Sequence, residues 1–419
     1  MRFTRWIVKF LIIGAFLFVL GYANRDRIPA ATELTTLDFI RSGGIDINGG
    51  EFSLSYISSE DKGEDIFNVK SHTLGSAIEQ LQGLTNKTVK DTHLDYILIG
   101  EDTARENLSY FIRHYAQRPS VRLDVNVFIT KDMTSEEFIE KAMTSDIDVN
   151  ARVDSLLKDR TQLSSFAKRN LKNLLQIYYS EEQTGLLPVL EIVESPVKST
   201  GDNNGGDEDD GGGPFEEDDE EDENGKNEDD DNNDGYTFAF YGLGIIKDGK
   251  LTGFLEHELV RTYIILTKNL TVGAIEITDE NDKLSTFSVK GTQNKISFEF
   301  CDSCESNENG NENGRPTAVN FDVSIDVNFD ETFAREQILT DENIPVLNDL
   351  KNEVIKSEIE RVIAKSRETG ADFLKIREAF ALRHPHKYHF IRDDWSGIFT
   401  DLEYNIRVST TVKRYFNMR

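Results

Sequence analysis

A pair of cysteines in the second half of the chain could carry redox or metal chemistry. Cys301 and Cys304 have the CxxC spacing of a redox pair, or of half a zinc site. The sequence contains no second CxxC, and the residues that follow form a polar run. We therefore expect a local disulfide or free thiols here. Two cysteines in so long a chain also mean that disulfides do not hold the fold together.

Three histidines near the C-terminus could bind a metal ion and support a metal-dependent hydrolase. His384, His386 and His389 lie close together in the sequence, but Pro385 interrupts the helical spacing that would align the imidazoles. No pattern of carboxylates completes a site around them. We expect a solvated connector before the last strand, with no bound metal and no cofactor.

The familiar catalytic motifs are missing from the sequence. It contains no G-x-S-x-G, no phosphate-binding P-loop and no HExxH. We therefore predict a protein that is not an enzyme, with no catalytic and no cofactor-binding residues. Arg113 and Arg118, which lie beside an expected strand edge, are the candidates for contact with a partner. Surface arginines paired with acidic neighbours are the alternative interpretation.

The N-terminal segment is a long apolar run with a basic flank, and it indicates on which side of a membrane the rest of the chain lies. Trp6 to Ala23 is apolar apart from Lys9, and Arg2 and Arg5 precede it. As a helix these 18 residues span about 27 Å, close to the ~30 Å hydrocarbon core of a bilayer. The basic flank predicts a cytoplasmic N-terminus and an exported body. Residues 1–24 therefore fit either a retained transmembrane anchor or a cleaved signal. A buried N-terminal core helix fits less well, because no polar residues mark a solvent-facing side.

Acidic residues are concentrated in one tract. Residues 201–235 hold 18 acidic residues and one lysine, in a chain whose net charge is −29. Such a composition predicts a disordered linker over 196–235. An EF-hand match that begins at Asp230 fails, because Tyr241 stands where a bidentate glutamate is needed. The acidic balance argues against a nucleic-acid partner, which needs basic surface.

Strands and helices in mixed order predict an α+β fold with mixed or antiparallel sheets, rather than a doubly wound sheet. We expect an N-terminal α+β region over 25–195, formed by two subdomains, and a C-terminal α+β domain over 236–419. Thr134 and Glu137 form a capping box that starts a helix, and Asp248-Gly249 marks a hairpin. The clearest strand is 319–329, whose apolar and polar residues alternate.

Several segments together resemble a known family. The opening from Glu33-Leu34 to Gly44-Ile45-Asp46 is similar to the mature start of the Ger(x)C proteins, the C subunits of spore germinant receptors. The similarity continues through the run from Leu74 to Phe138. In the second half it includes GLGIIKDGKLTGFL at 242–255, together with Asp372-Phe373, Trp395 and Phe399.

The resemblance implies an α+β body on the outer face of the spore inner membrane, working with a membrane-embedded A subunit and a transporter-like B subunit. It supplies no catalytic residues. Members of the family usually carry a lipid on a cysteine after a small residue, whereas Tyr22 follows Leu20-Gly21 here. This departure favours the retained helix as the tether. The alternative function is an exported protein that captures a small-molecule germinant directly.

Overall fold

The computed structural model describes most of both halves of the chain. The described residues are 6, 11–19, 37–58, 66–84, 88–118, 121–145, 149–158, 169–194, 236–267, 273–278, 284–300, 314–332 and 343–414. The predicted linker 196–235 and the pair Cys301 and Cys304 lie outside them. Residues 11–19 are helical. In the described part of the chain, no helix is both long enough and apolar enough to cross a membrane.

The first sheet is mixed and takes its strands from both halves of the chain. Its strands are β1 (Leu37–Asn48), β2 (Glu51–Ser58), β3 (Ile66–Ser71), β4 (Thr88–Lys90), β5 (Tyr96–Gly100), β6 (Asn126–Thr130), β7 (Thr184–Glu194), β8 (Tyr236–Lys247) and β9 (Lys250–Glu256). Among the described residues their order is β3-β2-β1-β5-β6-β7-β8-β9, with β4 beside β1. The middle strands β1, β5, β6 and β7 are parallel, and antiparallel strands flank them on both sides.

Helices cover both faces of this sheet. They are α1 (Leu74–Leu84), α2 (Glu101–Glu106), α3 (Leu108–Ala116), α4 (Ser135–Thr144), α5 (Val149–Lys158) and α6 (Leu171–Tyr179). Ile97 and Ile99 of β5 pack with α1, α3 and α6, whereas Tyr96 and Leu98 face α4 and α5. A strand buried on both faces needs a continuous apolar sequence, and all five residues of β5 are buried. The predicted α+β class is confirmed, and its parallel middle is a feature that the sequence did not predict.

The hairpin β8–β9 adds two strands to the same sheet. β8 runs antiparallel to β7, with Glu194 opposite Tyr236 and Thr184 opposite Lys247. The predicted turn at Asp248-Gly249 is confirmed, since both residues have positive φ, 51° and 70°, as a tight two-residue hairpin turn requires. The sheet therefore includes residues from both sides of segment 196–235.

The second half is built on a four-stranded sheet. Its strands are β10 (Ala274–Thr278), β11 (Leu284–Phe300), β12 (Pro316–Thr332) and β13 (Glu403–Arg414), in that order among the described residues. The predicted alternation in 319–329 is confirmed in β12, where Val319, Phe321 and Val323 are buried. β11 is one long strand of 17 residues.

Helices pack on the inner face of this second sheet. They are α7 (His257–Thr267), α8 (Asn343–Thr369), α9 (Ile376–Arg383), α10 (Pro385–Ile391) and α11 (Trp395–Asp401). Ile355, Ile359 and Val362 of α8 are fully buried in one apolar core with β12 and with Leu243 and Leu255 of the first sheet. The two sheets therefore share an apolar core.

Two helical predictions need correction. The expected connector at His384–His389 is mostly the helix α10, because proline is well tolerated at the first position of a helix, where no N–H is needed. The helical spacing of Leu108, Phe111, Ile112 and Tyr115 predicts one helix over 105–117. The structure instead has two helices there, α2 and α3, which meet at Asn107.

Candidate functional site

The carboxyl ends of the parallel strands β1, β5 and β6 meet at one edge of the first sheet, a frequent position for ligand sites. Asp46 of β1 lies there and is buried. Its carboxylate accepts hydrogen bonds from the Ser135 N–H at 3.0 Å, the Ser135 hydroxyl at 2.6 Å and the Glu136 N–H at 3.2 Å. Burial raises the pKa of Asp46, and these hydrogen bonds oppose the rise. Asp46 thus stabilises the start of α4.

Glu101, which follows β5, is the second carboxylate at this edge. It accepts hydrogen bonds from the Asp132 N–H at 2.9 Å, from Lys131 at 3.2 Å and from Arg105. Burial by itself would raise the pKa of Glu101, but these donors outweigh burial and lower it. The Lys131 ammonium also lies 4.7 Å from the centre of the Phe254 ring on β9. The protein's own donors therefore occupy the hydrogen-bond acceptors of the carboxylates at this edge. The contact between Lys131 and Phe254 also holds the β8–β9 hairpin against the edge.

A cleft between the two halves is a better candidate for a functional site. Its volume is about 440 Å³, and it lies between the α6–β7 connection of the first half and the segment before α9 in the second. Polar lining residues from the first half include Asn173 and Glu182, and those from the second include Asp372 and Glu378. No histidine or cysteine is among the described residues that line the cleft.

Burial strongly raises the pKa of two carboxyl groups in the cleft. Desolvation raises the pKa of Glu182 to about 7, and the charge of Asp372 adds to the rise while Arg377 opposes it. Desolvation raises the pKa of Asp372 to about 6, although its carboxylate accepts hydrogen bonds from the Ile376 N–H at 2.9 Å and the Arg377 N–H at 2.7 Å. Perturbed carboxyl groups in a cleft are typical of functional sites.

Arg377 links the two halves beside this cleft. Its guanidinium donates hydrogen bonds to the Tyr388 hydroxyl at 2.6 Å and to Glu181 at 2.8 Å. Its Nε lies 3.5 Å from Oε1 of Glu182, an ion pair in which that oxygen accepts no hydrogen bond from the described residues. The arrangement can take up protons near neutral pH and can present hydrogen-bond acceptors to a polar ligand.

Replacing Glu182 with glutamine is expected to reduce the pH dependence of stability. The folded-state pKa of about 7 exceeds the ordinary value of 4.5, so the folded chain holds more protons than the unfolded chain between these values. The free energy of unfolding of the wild type therefore falls as pH rises from about 4.5 to 7. Because the side chain is partly solvated, we expect the glutamine variant to be more stable by about 1–2 kcal/mol above pH 7.

Urea unfolding at pH 5 and pH 7.5 measures this difference. Glu79→Gln on α1, where the side chain is exposed, is the matched control and should leave the pH dependence unchanged. The raised pKa of Asp372 also makes the free energy of unfolding fall as pH rises, and this contribution remains in the Glu182 variant. An unaltered slope in the Glu182 variant would show that its carboxyl group is not held in a desolvated site.

The two arginines predicted to contact a partner lie away from this cleft, on and just after α3. Arg113 is exposed. Arg118 pairs with Asp91 at 3.1 Å, at the rim of an apolar cavity of about 70 Å³. Between them in the sequence lies His114, whose pKa is lowered to about 4 by burial and, to a smaller extent, by the charge of Arg118. Arg118 thus has an ion-pair partner, whereas Arg113 forms no ion pair with the residues that the structure describes.

The histidines of the C-terminal cluster do not converge. The imidazole of His384 packs against the rings of Phe298, Phe300 and Phe380. His386 and His389 are exposed on α10. The described residues contain no group of three or more histidine, cysteine, aspartate or glutamate side chains that could hold a metal ion.

Sequence reasoning missed the residues of the cleft. Glu182 and Arg377 match no motif, and Asp372 entered only through the family resemblance. A signal was present in Asp372, since an aspartate shortly before a helical pattern often accepts hydrogen bonds from the first N–H groups. Nothing in the sequence indicated that Glu182 would lie beside it.

Comparison with known proteins gives two family matches and one structural match. Residues 30–192 match the model described as the spore germination protein N-terminal domain, and residues 241–415 match the one described as spore germination B3/GerAC-like, C-terminal. The fold is similar to the crystal structure of the GerBC protein, with a TM-score of 0.52 and 15% sequence identity, over 89% of this chain and 97% of that chain. At this identity the similarity concerns the fold alone. No curated protein matched the chain.

Proposed function

The chain belongs to the Ger(x)C family, the C subunits of spore germinant receptors, and we propose that it is a non-catalytic subunit that assembles with A- and B-type membrane subunits. The observation that carries this proposal is the order of the two family matches, which together cover both halves of the chain. In this account the subunit stabilises the complex and helps to pass on ligand occupancy during nutrient-triggered germination.

We further propose that the N-terminal segment tethers the body to the outer face of the spore inner membrane. The helical residues 11–19 support this proposal, because their apolar side chains are exposed, from 55% at Ile13 to 75% at Phe18. Such side chains are stable in a bilayer and costly in water. Mass spectrometry of the native N-terminus tests the tether, since an intact Met1 or Arg2 end is expected and a lipid or a cleaved end would contradict it.

Arg113 and Arg118 are our proposed contacts with the partner subunits. Exposure and positive charge at Arg113 support that role, and arginine is enriched at the centres of protein interfaces. The ion pair of Arg118 with Asp91 would position the neighbouring surface.

Co-purification from detergent-extracted spore membranes tests the assembly. A tagged chain is expected to recover A- and B-type subunits together. Arg113→Glu should reduce that recovery, whereas Lys172→Glu on the exposed face of α6 should not. Equal recovery with both variants would exclude Arg113 as a contact.

The cleft favours a second candidate function, direct capture of a small-molecule germinant. Its volume of about 440 Å³ and its mixture of carboxylate, amide and hydroxyl groups suit a small polar molecule. Calorimetry of the purified chain with amino acids, sugars and nucleosides separates the two functions. The subunit proposal predicts no heat of binding, and a saturable heat would favour direct capture.

A further inference from the structure

A surface formed by α9 and α10 combines basic and exposed apolar side chains. Residues 382–392, with the sequence LRHPHKYHFIR, contain two arginines, one lysine and three histidines, and they contain no acidic residue although the chain carries a net charge of −29. Leu382 is 77% exposed and Phe390 is 64% exposed. We call these eleven residues the basic apolar surface.

The packing of α10 fixes which side chains point outward. Ile391 is buried, and Tyr388 faces inward to accept a hydrogen bond from Arg377 at 2.6 Å. On a helix, positions 386, 389 and 390 then share the opposite face. Phe390 therefore cannot turn inward without breaking these contacts, and its exposure is a fixed feature of the fold.

The first half contacts this surface through Glu181. Glu181 lies 3.8 Å from Arg392 and accepts a hydrogen bond from Arg377. Tyr179, two residues before Glu181 and at the end of α6, is 68% exposed. Tyr179 and Phe390 thus come from different halves, and each lies two positions along the chain from a member of the Glu181–Arg392 ion pair.

Not every charge on the surface is available to a ligand. Arg392 is shared between Glu181 and Asp393, at 3.8 Å and 3.6 Å. The Lys387 ammonium lies 3.2 Å from the centre of the Phe300 ring. Neither Lys387 nor the exposed Arg383 forms an ion pair with the described residues. Within that part of the chain, two positive charges, Arg383 and Lys387, therefore remain for an external anion.

From this geometry we propose that the basic apolar surface contacts the headgroup region of an anionic membrane. Basic side chains close to an anionic headgroup surface and apolar side chains that insert between the headgroups both favour binding. Two charges and two apolar side chains make a small contact, too weak to hold a free protein at the membrane and sufficient for a chain that a second element already holds there.

The proposal rests on the tether described above, because the tether supplies that second element. To the tether, the proposal adds an orientation of the body in which α9 and α10 are turned toward the lipid. A protein partner on the same surface is the competing occupant, and charge complementarity favours lipid because the free groups are cationic and flank exposed apolar side chains.

Fluorescence quenching in lipid nanodiscs tests the contact. Two full-length chains are reconstituted in discs of neutral lipid and in discs with about 40% anionic lipid, each with quencher-labelled headgroups. One chain carries Trp6→Phe and retains the buried Trp395, and the other also carries Phe390→Trp, so that the difference between them is the fluorescence of residue 390. In anionic discs we expect the added tryptophan to be quenched about twofold. Leu84→Trp is the control, since Leu84 is 62% exposed at the C-terminal end of a helix of the first sheet, α1. It should be quenched in neither disc.

The double variant Arg383→Gln, Lys387→Gln should restore the fluorescence of residue 390 in anionic discs. Absence of quenching, or equal quenching in neutral discs, overturns the proposal. The proposal is also overturned if residue 390 is shielded from the quencher only when A- and B-type subunits are present. If the chain does not enter discs, the tether has failed, and flotation with anionic vesicles at millimolar lipid then tests the surface alone. Salt-sensitive flotation that the double variant loses supports the contact, and absence of flotation overturns it.

Discussion

Replacing Lys351 with methionine is expected to raise the free energy of unfolding by about 2–3 kcal/mol at pH 7. Lys351 lies on α8, is 0% exposed, and its ammonium finds no hydrogen-bond partner among the described residues. The charge is partly compensated by the Phe287 ring, whose centre lies 4.0 Å from the ammonium. Desolvation lowers the pKa of Lys351 from 10.5 to about 8, so a buried charge destabilises the fold at neutral pH. Methionine has a similar shape and no charge.

The same replacement should change the response to alkaline pH. Between pH 8 and pH 10.5 the unfolded wild type binds more protons at this position than the folded wild type, so its stability rises with pH. The methionine variant should lack this rise. Urea unfolding at pH 7 and pH 9.5 measures both effects. Lys356→Met, on an exposed part of α8, is the control and should change stability by less than about 0.5 kcal/mol. Destabilisation by Lys351→Met would mean that the ammonium has an ionic partner.

Gly242→Ala is expected to destabilise the protein by about 3 kcal/mol or more. Gly242 lies on β8 with a φ of 153°, beside a bulge in the pairing with β7. A methyl group there would overlap the carbonyl oxygen of Leu255 and lie 3.0 Å from the carbonyl carbon of Glu256. Both obstacles are backbone atoms of β9, so the hairpin itself would have to move.

Gly291→Ala on β11 is the matched control for this substitution. A methyl group at Gly291 would meet no atom within 4 Å, so its effect should stay within about 1 kcal/mol. Chemical denaturation of the two variants side by side gives the comparison. Equal stabilities would show that the β8–β9 hairpin can shift without cost, and it would then be a poor link between the halves.

Local patterns in the sequence predicted the elements well where one short segment decides the structure. The Thr134–Glu137 capping box, the Asp248-Gly249 turn and the alternation in β12 are confirmed in the structure. Each depends on residues within a few positions of one another. The parallel direction of β5, β6 and β7 depends on crossovers between them, and no short pattern encodes it.

The candidate site depended on contacts too distant for a sequence pattern. Glu181 and Arg377 are 196 positions apart and form a hydrogen bond at 2.8 Å. The raised pKa of Glu182 results from the burial that this docking produces. Lys351 illustrates the same limit, since a lysine in a helical repeat is ordinarily a solvent-facing residue. Contacts between distant segments decide both cases, between the halves for Glu182 and between α8 and β11 of the second half for Lys351.

The native mass of the complex extracted from spore membranes tests the account most directly. If the chain is a receptor subunit, its tagged form in mild detergent should elute as an assembly that contains A- and B-type subunits and is clearly larger than its own 47.6 kDa. That assembly should show no turnover of substrate. Elution of the chain alone at 47.6 kDa from intact membranes would contradict the account.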